Sequence, residues 1–251
     1  MVSETRSATI TGASSEIAFA IAARLISDGF EVLATDVSSE RRGQYADQLP
    51  TVHWFEEDVT RDGAAAEVID IAVQKFGFVD CIINNAAIIS QAPLLKHTRE
   101  IWDATFDVNV RAPFELLKAA VPFMKRDSVM VNILSLAAYR YTGNHLAYTA
   151  SKSALVGFTR DAACELAELG IRVVGVAPGP TRSGMMQTMS AEKANILEQV
   201  APLRGVNSVE DIASAVGFVA SYSARRITGI VLPVTGGSEL AVSGAIGGPD
   251  E

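Results

Sequence analysis

Short apolar runs rich in β-branched residues alternate with longer stretches whose apolar positions recur at helical spacing. The runs predict strands over residues 8–11, 31–35, 52–55, 79–84, 129–134, 171–177 and 230–234. Most are continuously apolar, as strands are when helices cover both faces of a parallel sheet. The longer stretches predict helices over 16–27, 63–76, 98–110, 112–126, 148–169 and 209–220. Gly29, Gly77 and Gly170 each fall between a helical stretch and a strand, where a left-handed cap suits glycine. Alternation of this kind implies an α/β fold, a doubly wound seven-stranded parallel sheet in one domain over residues 1–251.

One segment breaks the rhythm. Residues 181–207 follow Pro178-Gly179-Pro180 and carry an apolar patch at Met185, Met186 and Met189. In an open α/β sheet the ligand crevice lies outside the carboxyl ends of the strands, so an insertion after a late strand is placed to cover a ligand.

Composition narrows the function classes. With 49% hydrophobic and 20% charged residues the chain is an ordinary globular one, not a disordered one. A net charge of −8 disfavours a nucleic-acid partner, which usually requires a basic face. No run approaches the roughly 18 apolar residues of a membrane span, and the first residues lack the apolar core of a signal peptide. Two cysteines, Cys81 and Cys164, form no disulfide framework. A cytoplasmic protein without a membrane partner is expected.

Three features carry candidate chemistry. The first strand–helix turn, Thr11-Gly12-Ala13-Ser14-Ser15-Glu16-Ile17-Ala18, is a small-residue turn whose free N–H groups suit a phosphate, or equally a plain connection that needs a glycine. Asp36, at the end of the second strand, can accept hydrogen bonds from an adenosine ribose and repel a 2′-phosphate, or cap a helix over 38–49. Tyr148 and Lys152, four apart, share a helix face, where an ammonium would favour the phenolate and make a proton-transfer device. Ser135 ends a buried-type strand thirteen residues before Tyr148, and Asn109 sits in a mostly apolar helix, where its amide needs a partner.

The ordered set Thr11-Gly12, Asp58-Val59, Asn84-Asn85-Ala86-Ala87, Asn109, Ser135, Tyr148-Thr149-Ala150-Ser151-Lys152, Pro178-Gly179 and Thr235-Gly236-Gly237 resembles the short-chain dehydrogenase/reductase family over essentially the whole chain. The resemblance implies a Rossmann-like fold and an oxidoreductase interconverting a secondary alcohol and a ketone. It implies Tyr148 as the proton donor or acceptor, Ser135 as the holder of the substrate oxygen, and Lys152 on the nicotinamide ribose. Asn109 would support a water linking Lys152 to solvent. Gly12, Ser14, Ser15, Glu16 and Ile17 would form the phosphate turn, and Asp36 and Val37 would meet the ribose. Asp58 and Val59 would contact the adenine, Asn85, Ala86 and Ala87 would line the cleft, and Pro178, Gly179, Thr181 and Ser183 would hold the carboxamide. By position alone, Ala137, Tyr139, Tyr141 and His145, with Met185, Met186 and Met189 of the lid, either join Ser135 and Tyr148 around a small-molecule substrate or merely pack the lid on the body. Asp36, with Ser15 and Val37 where basic residues would favour NADP, implies NAD. The resemblance further implies a homotetramer packed through residues 98–126 and 148–169.

Alternatives remain: a 3-ketoacyl-thioester or sugar reductase using NADPH, and a non-catalytic dinucleotide-binding protein. The second is suggested by the turn, where Glu16 and Ala18 replace two family glycines. A carboxylate about 4 Å from a pyrophosphate charge would lose about 4 kcal/mol at an effective dielectric of 20, roughly a thousandfold in affinity. Glu16 is therefore expected to turn away from the phosphates. Ala87 also replaces a family glycine, and Arg140 and Arg182 are available to an anionic substrate.

Overall fold

A computed structural model of the chain describes residues 5–39, 42–183, 198–199 and 201–240. Among them run β1 (Arg6–Thr11), α1 (Glu16–Ser27), β2 (Phe30–Asp36), α2 (Arg42–Gln48), β3 (His53–Glu56), α3 (Ala64–Phe76) and β4 (Val79–Asn84). After these come α4 (Arg99–Phe106), α5 (Ala112–Ala120), β5 (Met124–Ile133), α6 (Leu146–Glu165), β6 (Arg172–Pro178), α7 (Val209–Ala220) and β7 (Val231–Val234). The seven strands form one sheet in the order β3-β2-β1-β4-β5-β6-β7, every pair parallel.

The continuous apolar runs have the expected cause. On one face Ile10, Val131 and Val176 pack against Ile21 and Leu25 of α1 and Ile212 and Val216 of α7. On the other, Ile82, Met130 and Val173 pack against Val68 of α3, Leu116 of α5 and Ala163 of α6. Ile10, Ile82 and Met130 are fully buried, each contributing about 1.5–3 kcal/mol of transfer energy.

Three boundaries differ from the periodicity. The helix expected over 112–126 ends at Ala120, passes through a 3-10 turn at Val121–Phe123 and becomes β5 at Met124. Pro122 explains the break, because it lacks the N–H that would continue the helix. The helix expected over 98–110 stops at Phe106 and widens into a π turn at Asp107–Arg111, which holds Asn109. Among the described residues the helix entertained over 38–49 spans Arg42–Gln48, and the Asp36 carboxylate bonds instead to the Ser14 and Ser38 N–H groups. Met185, Met186, Met189 and most of the expected lid lie outside the described residues. Among the described residues no helix is long and apolar enough to cross a membrane.

Candidate active site

Strand order reverses between β1 and β4, and there the carboxyl ends of the strands open into a cleft of about 670 Å³. Gly12 forms its floor. Its φ is +64°, and a Cβ there would stand 2.5 Å from Ala86 Cα, so only glycine lets the turn approach the end of β4. The Asn85 side chain closes that approach by donating to the carbonyls of Thr11 and Gly12 (3.2 and 2.8 Å) and to Ser15 Oγ (3.1 Å). Ser15 caps α1, its hydroxyl accepting from Ala18 N–H at 3.1 Å. Ala18 is fully buried, so the methyl group in place of a glycine hydrogen is accommodated.

Gly12, Ser14, Ser15 and Ile17 all line the cleft, but Glu16 does not. It lines a separate cavity of about 520 Å³ bounded by α1, α2 and α7. Ser14 and Ser15 border both cavities, whereas Glu16, the first residue of its helix, borders only the second, so it does not stand with the cleft-lining residues among which it was expected.

At the adenosine end the lining residues are Asp36, Val37, Glu57, Asp58 and Val59. Asp36 does more than border the cleft: one carboxylate oxygen accepts the Ser14 N–H at 2.8 Å and the other the Ser38 N–H at 3.4 Å. It thus ties the phosphate turn to the end of β2. Glu57 escaped the sequence reading, and only its place beside Asp58 could have signalled it. Arg61 hydrogen-bonds Glu57 at 2.9 Å and holds its carboxyl below the usual range, while hydrogen bonds from Thr60 do the same for Asp58. Among the described lining residues three carboxylates face this end and the single lysine or arginine is Lys152, at the other. That end of the cleft lining carries an excess of negative charge.

The opposite end gathers Ser135, Ala137, His145, Tyr148 and Lys152 with Ala86 and Ala87. Ser135 follows β5, Tyr148 and Lys152 stand on successive turns of α6, and the packing of α6 on β6 brings them together. The Ser135 hydroxyl accepts from Ala137 N–H at 3.1 Å and stands near enough to the Tyr148 phenol to favour its ionised form. Lys152 Nζ donates to the Ile133 carbonyl at 2.7 Å and lies 5.6 Å from the Tyr148 ring centroid. Asn109 lies behind this wall, fully buried and saturated. Its Oδ1 accepts from Ile88 N–H (2.9 Å), and its Nδ2 donates to the Ile88 carbonyl (3.1 Å) and Ser151 Oγ (2.9 Å). Ser151 in turn donates to the Tyr148 carbonyl at 2.8 Å, linking the π turn to the start of α6.

The electrostatics reverse one expectation. Burial pushes the Tyr148 phenol up from its ordinary value, the Ser135 hydrogen bond opposing this only in part. Burial also lowers the Lys152 ammonium to about 7. Both groups thus favour their neutral forms, because the same packing that joins them withdraws them from water. The ammonium does not stabilise a phenolate here.

Pro178, Gly179, Thr181 and Ser183 line the remaining wall, with the Thr181 hydroxyl donating to the Gly179 carbonyl at 2.9 Å. Tyr141 is not part of the site: it is 80% exposed and does not line the cleft, and neither does Tyr139. The arginines considered for an anionic substrate have other bonds, Arg140 to the Ser238 carbonyl (2.6 Å) and Arg182 to Glu198 (3.3 Å). Thr142, Ile88, Ile89 and Leu136 line the cleft without having been singled out, since loop residues carry no periodic signal. Among the described residues no cluster could hold a metal ion.

The cleft thus joins a glycine turn at a helix start, a carboxylate at the end of β2 and a buried lysine. Comparison with known proteins agrees. A family model described as enoyl-(acyl carrier protein) reductase matches residues 12–239. The 3-oxoacyl-[acyl-carrier-protein] reductase FabG of Staphylococcus epidermidis is 32% identical, the match covering 92% of this chain and 98% of that protein. A short-chain dehydrogenase/reductase, glucose/ribitol dehydrogenase, from Brucella melitensis superposes with a TM-score of 0.89 at 31% identity, covering 94% and 97% of the two chains. A 3-ketoacyl-(acyl-carrier-protein) reductase from the same organism, complexed with NADH, gives 0.87 at 27% identity over 94% and 99%. A metagenomic blue fluorescent protein in complex with NADPH gives 0.87 at 32% identity over 93% and 97%.

Proposed function

The chain belongs to the short-chain dehydrogenase/reductase family, and within it we propose an oxidoreductase that interconverts a secondary alcohol and a ketone with NAD. The observation that carries this reading is the gathering of Ser135, Tyr148 and Lys152 in one cleft with Asp36 on its lining. The nicotinamide supplies hydride exchange when bound; the protein's own residues manage the oxygen and its proton. Ser135 and Tyr148 offer two hydroxyls that converge on one substrate oxygen, which fixes it and polarises a carbonyl. In reduction the neutral Tyr148 phenol gives its proton to the developing alkoxide. In oxidation the substrate hydroxyl gives its proton to the phenolate. Burial favours the neutral phenol, the form that donates. Lys152, 5.6 Å from the Tyr148 ring centroid, would hold the nicotinamide ribose.

The three carboxylates at the adenosine end favour NAD over NADP. A second reading, a 3-oxoacyl-thioester reductase using NADPH, takes its support from the names of the relatives. Turnover of a panel of secondary alcohols and ketones with each cofactor, followed by nicotinamide absorbance, separates the two. Tyr148→Phe is expected to lose at least a hundredfold in kcat; near-native turnover in that variant would sink the proposal. A homotetramer in the cytoplasm belongs to the same proposal. Trp102 of α4, Phe114 of α5 and Leu146 of α6, 38%, 50% and 43% exposed, support the packing of those helices between subunits. Sedimentation equilibrium tests it, and a monomeric mass would refute it.

A further inference from the structure

We propose that Tyr45 is a positioning residue of the cofactor turn: its hydroxyl holds the peptide unit between Ala13 and Ser14 so that the Ala13 carbonyl stays turned away from the phosphates. The inference rests on the dinucleotide reading of the cleft and names a residue that sets affinity within it.

Gly12 is the only glycine between Thr11 and Ala18, so most of the turn lacks glycine's freedom and depends on what holds it. Asn85 Nδ2 donates to the carbonyls of Thr11 and Gly12 at 3.2 and 2.8 Å. The Ala13 N–H donates to the Thr35 carbonyl at 3.1 Å. The next peptide unit is fastened at both ends. Tyr45 Oη donates to the Ala13 carbonyl at 2.5 Å, and the Ser14 N–H donates to Asp36 Oδ2 at 2.8 Å.

These two bonds fix the orientation of the unit. In a planar trans peptide the C=O and the N–H point to opposite sides of the chain. Asp36 lines the cofactor cleft, whereas Tyr45 and Ala13 do not, and Tyr45 borders the neighbouring cavity instead. The N–H thus faces the cleft side and the carbonyl faces away from it. Turned over, the same unit would lose both bonds and set a carbonyl oxygen beside Asp36, on the side where the phosphates of a dinucleotide would lie. Its partial negative charge would then oppose them.

The Tyr45 ring is held so that its hydroxyl has one direction. It is the one buried side chain of α2, 3% exposed. The ring meets Phe19 of α1 edge to face, with centroids 4.9 Å apart, and lies 5.4 Å from Trp54 of β3 at a tilt. Ala13 is fully buried, so a carbonyl there that loses its donor gains from any tilt that lets water reach it. Such a tilt moves Ser14 and Ser15, which line the cleft, and with them the start of α1, where backbone N–H groups suit a phosphate.

The test replaces Tyr45 by phenylalanine, which keeps the ring packing and removes only the hydroxyl. Dissociation constants are read for NADH from its fluorescence, and for ADP and adenosine by competition against it. NADH and ADP, which carry the phosphates, are expected to weaken about fivefold to tenfold, the worth of one hydrogen bond. Adenosine, which lacks them, should change by less than twofold, and melting of the cofactor-free protein should stay close to native. Tyr45→Phe that binds NADH as tightly as the native protein, or that weakens adenosine as much as ADP, would overturn the inference while leaving the cleft a dinucleotide site. A variant that no longer folds would overturn it too, because Tyr45 would then serve the fold and not the turn. Failure of the native protein to bind NADH would overturn the dinucleotide reading and the inference together.

Discussion

Replacing Lys152 by methionine should stabilise the ligand-free protein while destroying its activity. The lysine is 2% exposed, and burial lowers its ammonium from 10.5 to about 7. An unfolded chain binds that proton up to the ordinary lysine value, so the folded state binds fewer protons between about pH 7 and 10.5. Folding is therefore opposed most strongly below pH 7, and the opposition fades as pH rises through that window. A shift of 3.5 units, the difference between 10.5 and about 7, corresponds to about 5 kcal/mol near pH 6 and to about 3 kcal/mol at pH 8.5. Methionine has a similar length and no charge, and it gives up the 2.7 Å hydrogen bond to the Ile133 carbonyl, which costs about 1 kcal/mol at any pH. Urea unfolding of both proteins at pH 6 and pH 8.5 isolates the titration, because losses independent of pH cancel. The stabilisation by Lys152→Met should be larger at pH 6 by about 2 kcal/mol. A difference that does not change with pH, or that grows with it, would refute the claim that Lys152 is held by burial against its own charge. The expected result makes this lysine an instance of stability yielded at a functional site.

Other consequences concern the opposite end of the cleft. Asp36→Asn keeps an oxygen for the Ser14 N–H but loses the charge, so its preference for NAD over NADP should fall at least tenfold with NAD affinity mostly kept. Asp36→Ala loses the tie as well and should weaken both cofactors, as titration of nicotinamide fluorescence would show; unchanged NAD affinity in the alanine variant would mean the tie is idle. Glu16→Gly should change the dissociation constant for NAD by less than threefold, since Glu16 faces the neighbouring cavity, and a tightening of tenfold or more would place its carboxylate at the phosphates after all. Gly12→Ala, forced to φ +64° with its Cβ 2.5 Å from Ala86 Cα, should cost at least about 2 kcal/mol in denaturant melts. Asn109→Leu leaves the Ile88 N–H and carbonyl without their amide partner, a loss of about 1–3 kcal/mol; a variant as stable as the native protein would show that water replaces the amide.

Periodicity located every strand of the sheet and most helices because an apolar face buried at fixed spacing is a local property of the chain. The α1 and α7 spans came out at the expected residues for that reason. It failed at residues 120–124 and 106–111, where a proline and a polar amide redirect the backbone without altering the apolar count. Among site residues, those spaced on one helix or placed at a strand end were legible: Tyr148, Lys152, Ser135, Asp36 and Gly12 all border one cleft. Loop residues were not. Tyr141 and His145 lie four apart between the same two elements, yet one faces solvent and the other the substrate end.

What the sequence by itself determined was the order of α and β elements, the family, and the set of side chains capable of the chemistry. These depend on residue type and spacing along the chain, which folding does not change. Only the tertiary structure decided that Glu16 leaves the phosphate turn on its far side, that Asp36 reaches across to Ser14 N–H, and that Tyr148 and Lys152 are both driven toward neutrality. The direction in which a side chain leaves a turn, and the amount of water left around a charge, are set by what packs against them from distant parts of the chain.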